Sequence, residues 1–460
     1  PPSDFNTGNT ISIGGNQLSN VWNSTNTGAD IFVPIVDNDT TIINGEIQIW
    51  GKVGTNPYEK VGDPFTILES DAGTNKSLNI IETQVESITG FLEGDSIYFK
   101  TVKIDKAGNE KEGSISNNKL AIDQTLPSIN YVSYKSDFTD TTLATVGHEI
   151  ILTLKTDELI QPPIITIAGQ SATISDIGGG KWVATYAMQN GDSDGVIPFE
   201  VEGILDLSGN PNSGTAATTD GSMVIFDNTK PELDIVRIAS NNQDSTWAKV
   251  GDMISINFIA NELLISQSVN LNGQAMTISD LGSEKYLAQY EMTDLDTEGQ
   301  LSFEIFITDS VGLVSDPIIT TSNSSQVIFD KTLPILNQVN IQSNNQNNSS
   351  IAITADNVTL TFIPDEPLLA DSIVVTIANE EVTINEDGNG YVATLTISGN
   401  EPGGILPFTI DFVDRASNRG VQVVNTLDNS YVNHDIVPPE ILTASMLSLI
   451  HISEPTRQKP

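Results

Sequence analysis

One phrase of aspartate, threonine and proline returns along the chain, and its spacing limits the fold more than any other feature. It reads LAIDQTLPSINYVSY around Asp123, Thr125 and Pro127, MVIFDNTKPELDIVRI around Asp227, Thr229 and Pro231, and SQVIFDKTLPILNQVNI around Asp330, Thr332 and Pro334. A weaker form, VNHDIVPPEILTAS, carries Asp435 and Pro439. The four aspartates stand 104, 103 and 105 residues apart, which marks a tandem array whose units are each long enough to bury a core. The expected organisation is a divergent unit at 1–122, repeats at 123–226, 227–329 and 330–435, and the start of a further repeat at 436–446. Pro1-Pro2-Ser3 lines up with Pro438-Pro439-Glu440, so the chain reads as cut from a longer one. Leu447 to Arg457, LSLIHISEPTR, matches the translation of a transposon-end sequencing adapter; 447–460 is set aside as read-through, His451 with it.

Within a repeat, apolar residues alternate. In GDMISINFIANE, Ile254, Ile256 and Phe258 share one side and Ser255 and Asn257 the other, the period of a half-buried antiparallel strand. Short strands follow about turns at Gly169, Gly273 or Asn379, then strands with aromatics at Trp182, Tyr286 and Tyr391, then strands with Phe199, Phe303 and Phe408. About seven strands in roughly 100 residues, with no cysteine, give immunoglobulin-like sandwiches without the disulfide. The fold class is therefore all-β, a tandem, elongated array of four such sandwiches. The aromatic stripes read as core. The first unit restores the pattern late, in GDSIYFKTVKIDKAGNE, with Phe99, Asp105 and Asn109.

That strand order brings three places to one pole of a sandwich: the entering linker, the end of the second strand, and the loop after the sixth. The linker supplies Asp123, Asp227 and Asp330. The second strand ends in Asp157-Glu158, Asn261-Glu262 and Asp365-Glu366, and the loop supplies Asp206, Asp309 and Asp414, with Asn210 and Asn418 adding amide oxygens in DLSGN and DRASN. Carboxylates gathered at one pole repel unless a cation neutralises them, and oxygen-only ligands of irregular geometry suit Ca2+ better than Mg2+. The bland alternative is that each aspartate only caps a turn. The third repeat, TDSVGLVS, lacks the final asparagine. Proline stiffens the linker by fixing its own φ and holding the preceding residue extended.

These motifs resemble the bacterial Ig-like tandem repeats of giant surface adhesins and biofilm-associated proteins. The resemblance rests on the D-x-T-x-P linkers, VGD at Val250, Gly251 and Asp252, the acids Glu158, Glu262 and Glu366, and DKAGN from Asp105 to Asn109. It covers 123–435 well and 1–122 in part; His148 stands where the pattern has aspartate, and the last linker lacks threonine. It implies a calcium-stiffened stalk outside the bacterial cell, whose partners are the neighbouring repeats.

Other chemistries find little support. Sixty acidic against 20 basic residues, a net charge of −40, argue against nucleic acid or an anionic membrane. No basic patch, zinc spacing or phosphate loop stands out, and no run is long enough to cross a bilayer. His148 and His434 read as solvated surface residues, leaving no nucleophilic triad, so no enzyme is expected. Two rivals to the stalk remain. One is a glycan-binding or homophilic adhesion module, with Trp22, Trp50 and Tyr58 of the first unit as an exposed aromatic patch. The other is accessory domains of a secreted enzyme.

Overall fold

The computed structural model describes residues 1–37 and 39–440. The segment 447–460, set aside as adapter read-through, and residues 441–446 of the fragment 436–446 fall outside the described residues. The chain divides into two compact units, Pro1–Thr229 and Lys230–Pro460. Among the described residues α-helix is confined to Glu82–Glu86 and 3-10 helix to Glu69–Asp71 and Ala370–Ser372, the rest being strand, turn and loop.

The second unit shows how alternation becomes a sandwich. Leu233–Ser240, Met253–Ala260, Lys285–Glu291 and Thr277–Gly282 pair antiparallel in that order. Ile254, Ile256 and Phe258 all leave one face and are at most 1% exposed. A second sheet joins Gln274–Ala275, Leu264–Leu271 and Phe303–Asp309, and both sheets feed one core through Ile256, Val269, Phe303 and Ile305. A small third sheet closes the sandwich: Trp247–Ala248 runs parallel to Ile328–Phe329, which pairs antiparallel with Gly299–Gln300. The same three sheets recur between Leu336 and His434 around a separate core. The expected core aromatics are there: Tyr286 stacks on Phe258 at 5.2 Å and Tyr391 on Phe362 at 5.3 Å.

The first unit holds two further cores. Residues 129–226 repeat the four-, three- and three-stranded pattern, with Trp182, Phe199 and Phe226 buried. The part before Asp123 is built differently. Thr10–Ile13, Gly28–Pro34 and Asn75–Ile81 form one sheet; the other runs Val21–Trp22, Leu120–Ile122, Ser96–Ile104, Glu46–Val53, Glu59–Thr66, with Glu110–Ile115 also on Ser96–Ile104. These are the two-sheet cores of immunoglobulin-like sandwiches.

Two sequence expectations fail inside the cores. Trp22 is fully buried, because Val21–Trp22 pairs parallel with Leu120–Ile122 and turns the indole inward, so it belongs to no exposed patch. His434 is 2% exposed rather than solvated. It occupies the place that Phe226 and Phe329 fill in the preceding repeats, on the strand just before the linker aspartate, so its surroundings are those of a core phenylalanine.

Candidate metal centre

Each linker aspartate emerges from the closing strand in one fixed way. The amide N–H groups of Asp123, Asp227, Asp330 and Asp435 each donate at 2.9 Å to a carbonyl of the parallel partner strand: Trp22, Ala144, Ala248 and Ala352. Its backbone is thereby pinned where the sandwich ends. In two of the three threonine linkers Oδ1 of Asp227 and of Asp330 accepts the N–H of Thr229 and of Thr332 at 3.0 Å, an Asx turn that bends the chain toward the proline.

At the end of the second strand the paired acids divide their work. The first residue caps the incoming linker: Asp157 Oδ1 accepts Ser128 N, Asn261 Oδ1 accepts Glu232 N, and Asp365 Oδ1 accepts Ile335 N. The second, Glu158, Glu262 or Glu366, stays half-buried beside it.

The loop aspartates are almost fully enclosed: Asp206 and Asp414 are 1% exposed and Asp309 is 0% exposed. One oxygen of each caps its loop. Asp206 Oδ1 takes Ser208 and Asn210 N–H, Asp309 Oδ1 takes Val311 and Leu313 N–H, and Asp414 Oδ1 takes Asn418 N–H. Asp105 does the same with Ala107 and Asn109. The turn-capping reading is thus satisfied by one oxygen, which leaves the other to explain. The asparagines answer part of this: Nδ2 of Asn109, Asn210 and Asn418 donates to Oδ2 of Asp105, Asp206 and Asp414. Asn210 and Asn418 also donate to the carbonyls of linker residues Asp123 and Asp330, and Asn210 Oδ1 accepts Ser24 N–H at 2.7 Å. Where Leu313 replaces the asparagine, Asp309 Oδ2 is buried with no hydrogen-bond partner among the described residues.

In the second unit, linker, strand end and loop converge. One carboxylate oxygen each from Asp330, Glu366 and Asp414 lies within 4.8 Å of the others. Burial, then the charges of Asp330 and Asp414, push Glu366 up to about 7. Burial likewise raises Asp330 and Asp414, against the hydrogen bonds that Thr332 and Asn418 donate. Such mutual repulsion is the condition under which a bound cation stabilises most. In the first unit Glu158 is raised by burial and by Asp206, Asp123, Asp157 and Glu93, so these acids share one neighbourhood. Glu262 and Asp309 belong to the second unit and Asp227 to the first. Asp105, with Asn109, lies apart from these groups, 3.9 Å from the amino terminus.

One set of acids escaped the sequence reading. Glu93, Asp194 and Glu298 accept the N–H that follows the linker aspartate, from Gln124, Asn228 and Lys331, at 2.7 to 2.8 Å. Thr332 Oγ1 donates to Glu298 at 2.7 Å and Thr229 Oγ1 donates to Asp194, which is what the threonine does in these two linkers. The signal was present: each of these acids directly precedes a glycine, Gly94, Gly195 or Gly299, while the last repeat has Gly403 there. The VGD aspartate also gains a task. Asp252 Oδ2 holds Asn242 Nδ2, which donates at 2.7 Å to the Ala416 carbonyl in the loop after Asp414. Asn23 makes the corresponding bond to the Ser208 carbonyl in the first unit.

The donor set is all oxygen, enclosed on one side and irregular, and fits a hard cation of flexible coordination, Ca2+, better than Zn2+ or Mg2+. The class so defined is a chain of immunoglobulin-like sandwiches with acid clusters at linkers. No protein-family model matches the chain, and no curated protein matches it. Among solved structures it is similar to a Ca2+-stabilized adhesin with which an Antarctic bacterium binds ice (TM-score 0.40, 13% identity, covering 95% of this chain and 100% of that one). It is also similar to a 1.5-MDa bacterial ice-binding adhesin (TM-score 0.32, 13% identity, 72% and 98%) and to fibronectin(III)-like modules of Clostridium thermocellum CbhA (TM-score 0.24, 10% identity, 46% and 100%). Likenesses this low carry no function across.

Proposed function

We propose that this chain is an extracellular spacer segment of a bacterial surface adhesin, made of sandwiches at 1–122, 123–226, 227–329 and 330–435 and stiffened by Ca2+ at their linkers. The supporting observation is the approach of Asp330, Glu366 and Asp414 to within 4.8 Å from three distant places in the sequence. These three would hold the ion, Asp123, Glu158 and Asp206 would hold its counterpart, and Asp227, Glu262 and Asp309 are the same positions in the remaining repeat. Asn210 and Asn418, like Asn109 beside Asp105, shape the loops that present the aspartates. A bound ion would replace carboxylate repulsion with attraction and tie the entering linker to two other elements of the sandwich it enters. Extracellular sites of this kind bind at about 0.1 to 1 mM, so the surrounding medium would set the stiffness. Without cysteine, ions take the role disulfides fill in other secreted modules.

The test is calorimetric melting of the full chain against CaCl2. An ion at about 100 times its dissociation constant stabilises by roughly 2.7 kcal/mol per site, some 10 °C for a domain of this size. Glu366→Gln and Asp414→Asn should lower the calcium-dependent shift of the fourth repeat and leave the others in place. Equal melting in CaCl2 and EDTA would remove the calcium reading.

A further inference from the structure

The first unit carries a cationic, aromatic face: around Trp50 and Tyr58, which the sequence marks as lying outside the repeat pattern, the fold gathers lysines that no linear run announces and the calcium reading does not use. On Glu46–Val53 the side chains of Ile49 and Val53 are buried while Trp50 and Lys52 lie half-buried on the opposite face. On Ser96–Ile104, Ile97 and Phe99 are buried while Tyr98 and Lys100 lie opposite. The register sets Trp50 between Lys60 and Lys100, and Lys52 beside Tyr98. Rings and ammonium groups therefore alternate across three strands. Lys52 Nζ stands 5.2 Å and 5.3 Å from the Tyr58 and Tyr98 ring centres, Lys60 and Lys100 stand 5.7 Å and 5.8 Å from Trp50, Lys100 stands 4.5 Å from Tyr58, and Lys119 stands 5.9 Å from Tyr98. All are within cation–π range. Glu112, paired with Lys100, is an acid at this patch, and Glu46 and Glu110 stand at the far end of the same face, both beside Ile104. Four of the 20 basic residues of a chain carrying −40 are gathered here.

We propose that this face binds an acidic polysaccharide whose charges are carboxylates, a polyuronate. Charge complementarity carries the choice: the rest of the chain repels anions, so a cationic face selects an anionic partner. The rings narrow it further. Bases stack on open aromatic faces, whereas ammonium groups stand 4.5 to 5.9 Å from the ring centres here and compete for those faces. A uronate sugar offers carboxylates to the cations and C–H groups to whatever ring face the ammonium groups leave open. The Tyr58 hydroxyl is enclosed on this face without a hydrogen-bond partner among the described residues, a polar group that a ligand drawing Lys100 aside would reach.

The test is affinity electrophoresis of the full chain through gels containing polygalacturonate, with EDTA throughout so that calcium cannot bridge acid to acid. This separates the outcome from that of the calcium reading. Retardation relative to a dextran gel is expected, reduced about tenfold in K52Q/K60Q/K119Q, since each exposed charge contributes modestly. It should fade as salt rises from roughly 50 to 300 mM. Should the triple variant melt early, K60E alone, at an exposed position, gives the same reading in the same direction. No retardation of the wild type overturns the proposal, as does retardation unchanged in a variant of unchanged melting. Tighter retention of dextran sulfate or of single-stranded DNA through the same lysines overturns the carboxylate assignment.

Discussion

A single buried imidazole tells most about what a repeat tolerates. His434 sits where Phe226 and Phe329 fill their cores, and its Nδ1 has no hydrogen-bond partner among the described residues. An enclosed polar atom without a partner costs on the order of 1 to 3 kcal/mol. His434→Phe should therefore raise the melting temperature of the last repeat by several degrees, and Phe329→His should lower that of the repeat before it by more. Scanning calorimetry of both variants checks the pair; equal melting would show that the imidazole finds a partner in solution. Lys103 is the other buried polar residue of note. Its chain points into the first core, its ammonium donates to the Pro34 carbonyl at 2.8 Å and lies 4.2 Å from the Phe5 ring centre, and burial lowers it to about 8 against the attraction of Asp39. The unfolded chain holds this proton up to about 10.5. Between these values the unfolded state binds more protons, so stability of the first sandwich rises as pH climbs from about 8 toward 10.5 and the penalty is fully present below 8. Urea midpoints across that range should rise in the wild type relative to Lys103→Met; parallel profiles would rule the lysine out.

At the scale of elements, the loop D-x-x-x-N and the linker D-x-T-x-P work as one clasp. Asn418 joins Asp414 to the linker carbonyl of Asp330, and Thr332 joins that linker to Glu298. Asp309 lacks the asparagine, so Leu313→Asn should supply the missing donor to Oδ2 and raise stability in EDTA by about 1 kcal/mol, while Asn418→Leu should cost about 1 to 3 kcal/mol. Melting of the two variants in chelator decides it, and a loss from Leu313→Asn would mean the loop cannot admit the amide. Strands and core were legible because alternation such as Ile254, Ile256, Phe258 is a direct image of the pleat. The poles were legible because each acid group repeats at a fixed place. Glu298 was not, since its partner Thr332 lies a full excursion of the chain away and a single acid before glycine looks like any turn. Lys52, Lys60, Lys100 and Lys119 were also hidden: they become a patch only when register sets three strands side by side, and no linear run announces it. His434 misled because histidine is polar by type, whereas its burial is set by the strand position it inherits.

For the whole molecule the question is whether −40 charges act as a diffuse cloud or through discrete sites. A cloud responds to ionic strength alone, because exposed charges farther apart than about 8 to 10 Å are screened at physiological salt. A site built on Asp330, Glu366 and Asp414, with oxygens within 4.8 Å and Asp414 1% exposed, would be screened little and would respond to the identity of the ion. The two pictures separate at fixed ionic strength. Millimolar CaCl2 replaced by NaCl of equal ionic strength should forfeit most of the stabilisation, and MgCl2 should recover little, because Mg2+ gives up its waters reluctantly and tolerates irregular oxygen sets poorly. Small-angle scattering under the same three conditions carries the test to the proposed role. If calcium locks the linkers, the pair-distance distribution should narrow toward one maximum dimension in CaCl2 and broaden in EDTA. A distribution that follows ionic strength and ignores the cation would leave acidic sandwiches on plain tethers, their asparagine and threonine clasps holding each linker without an ion.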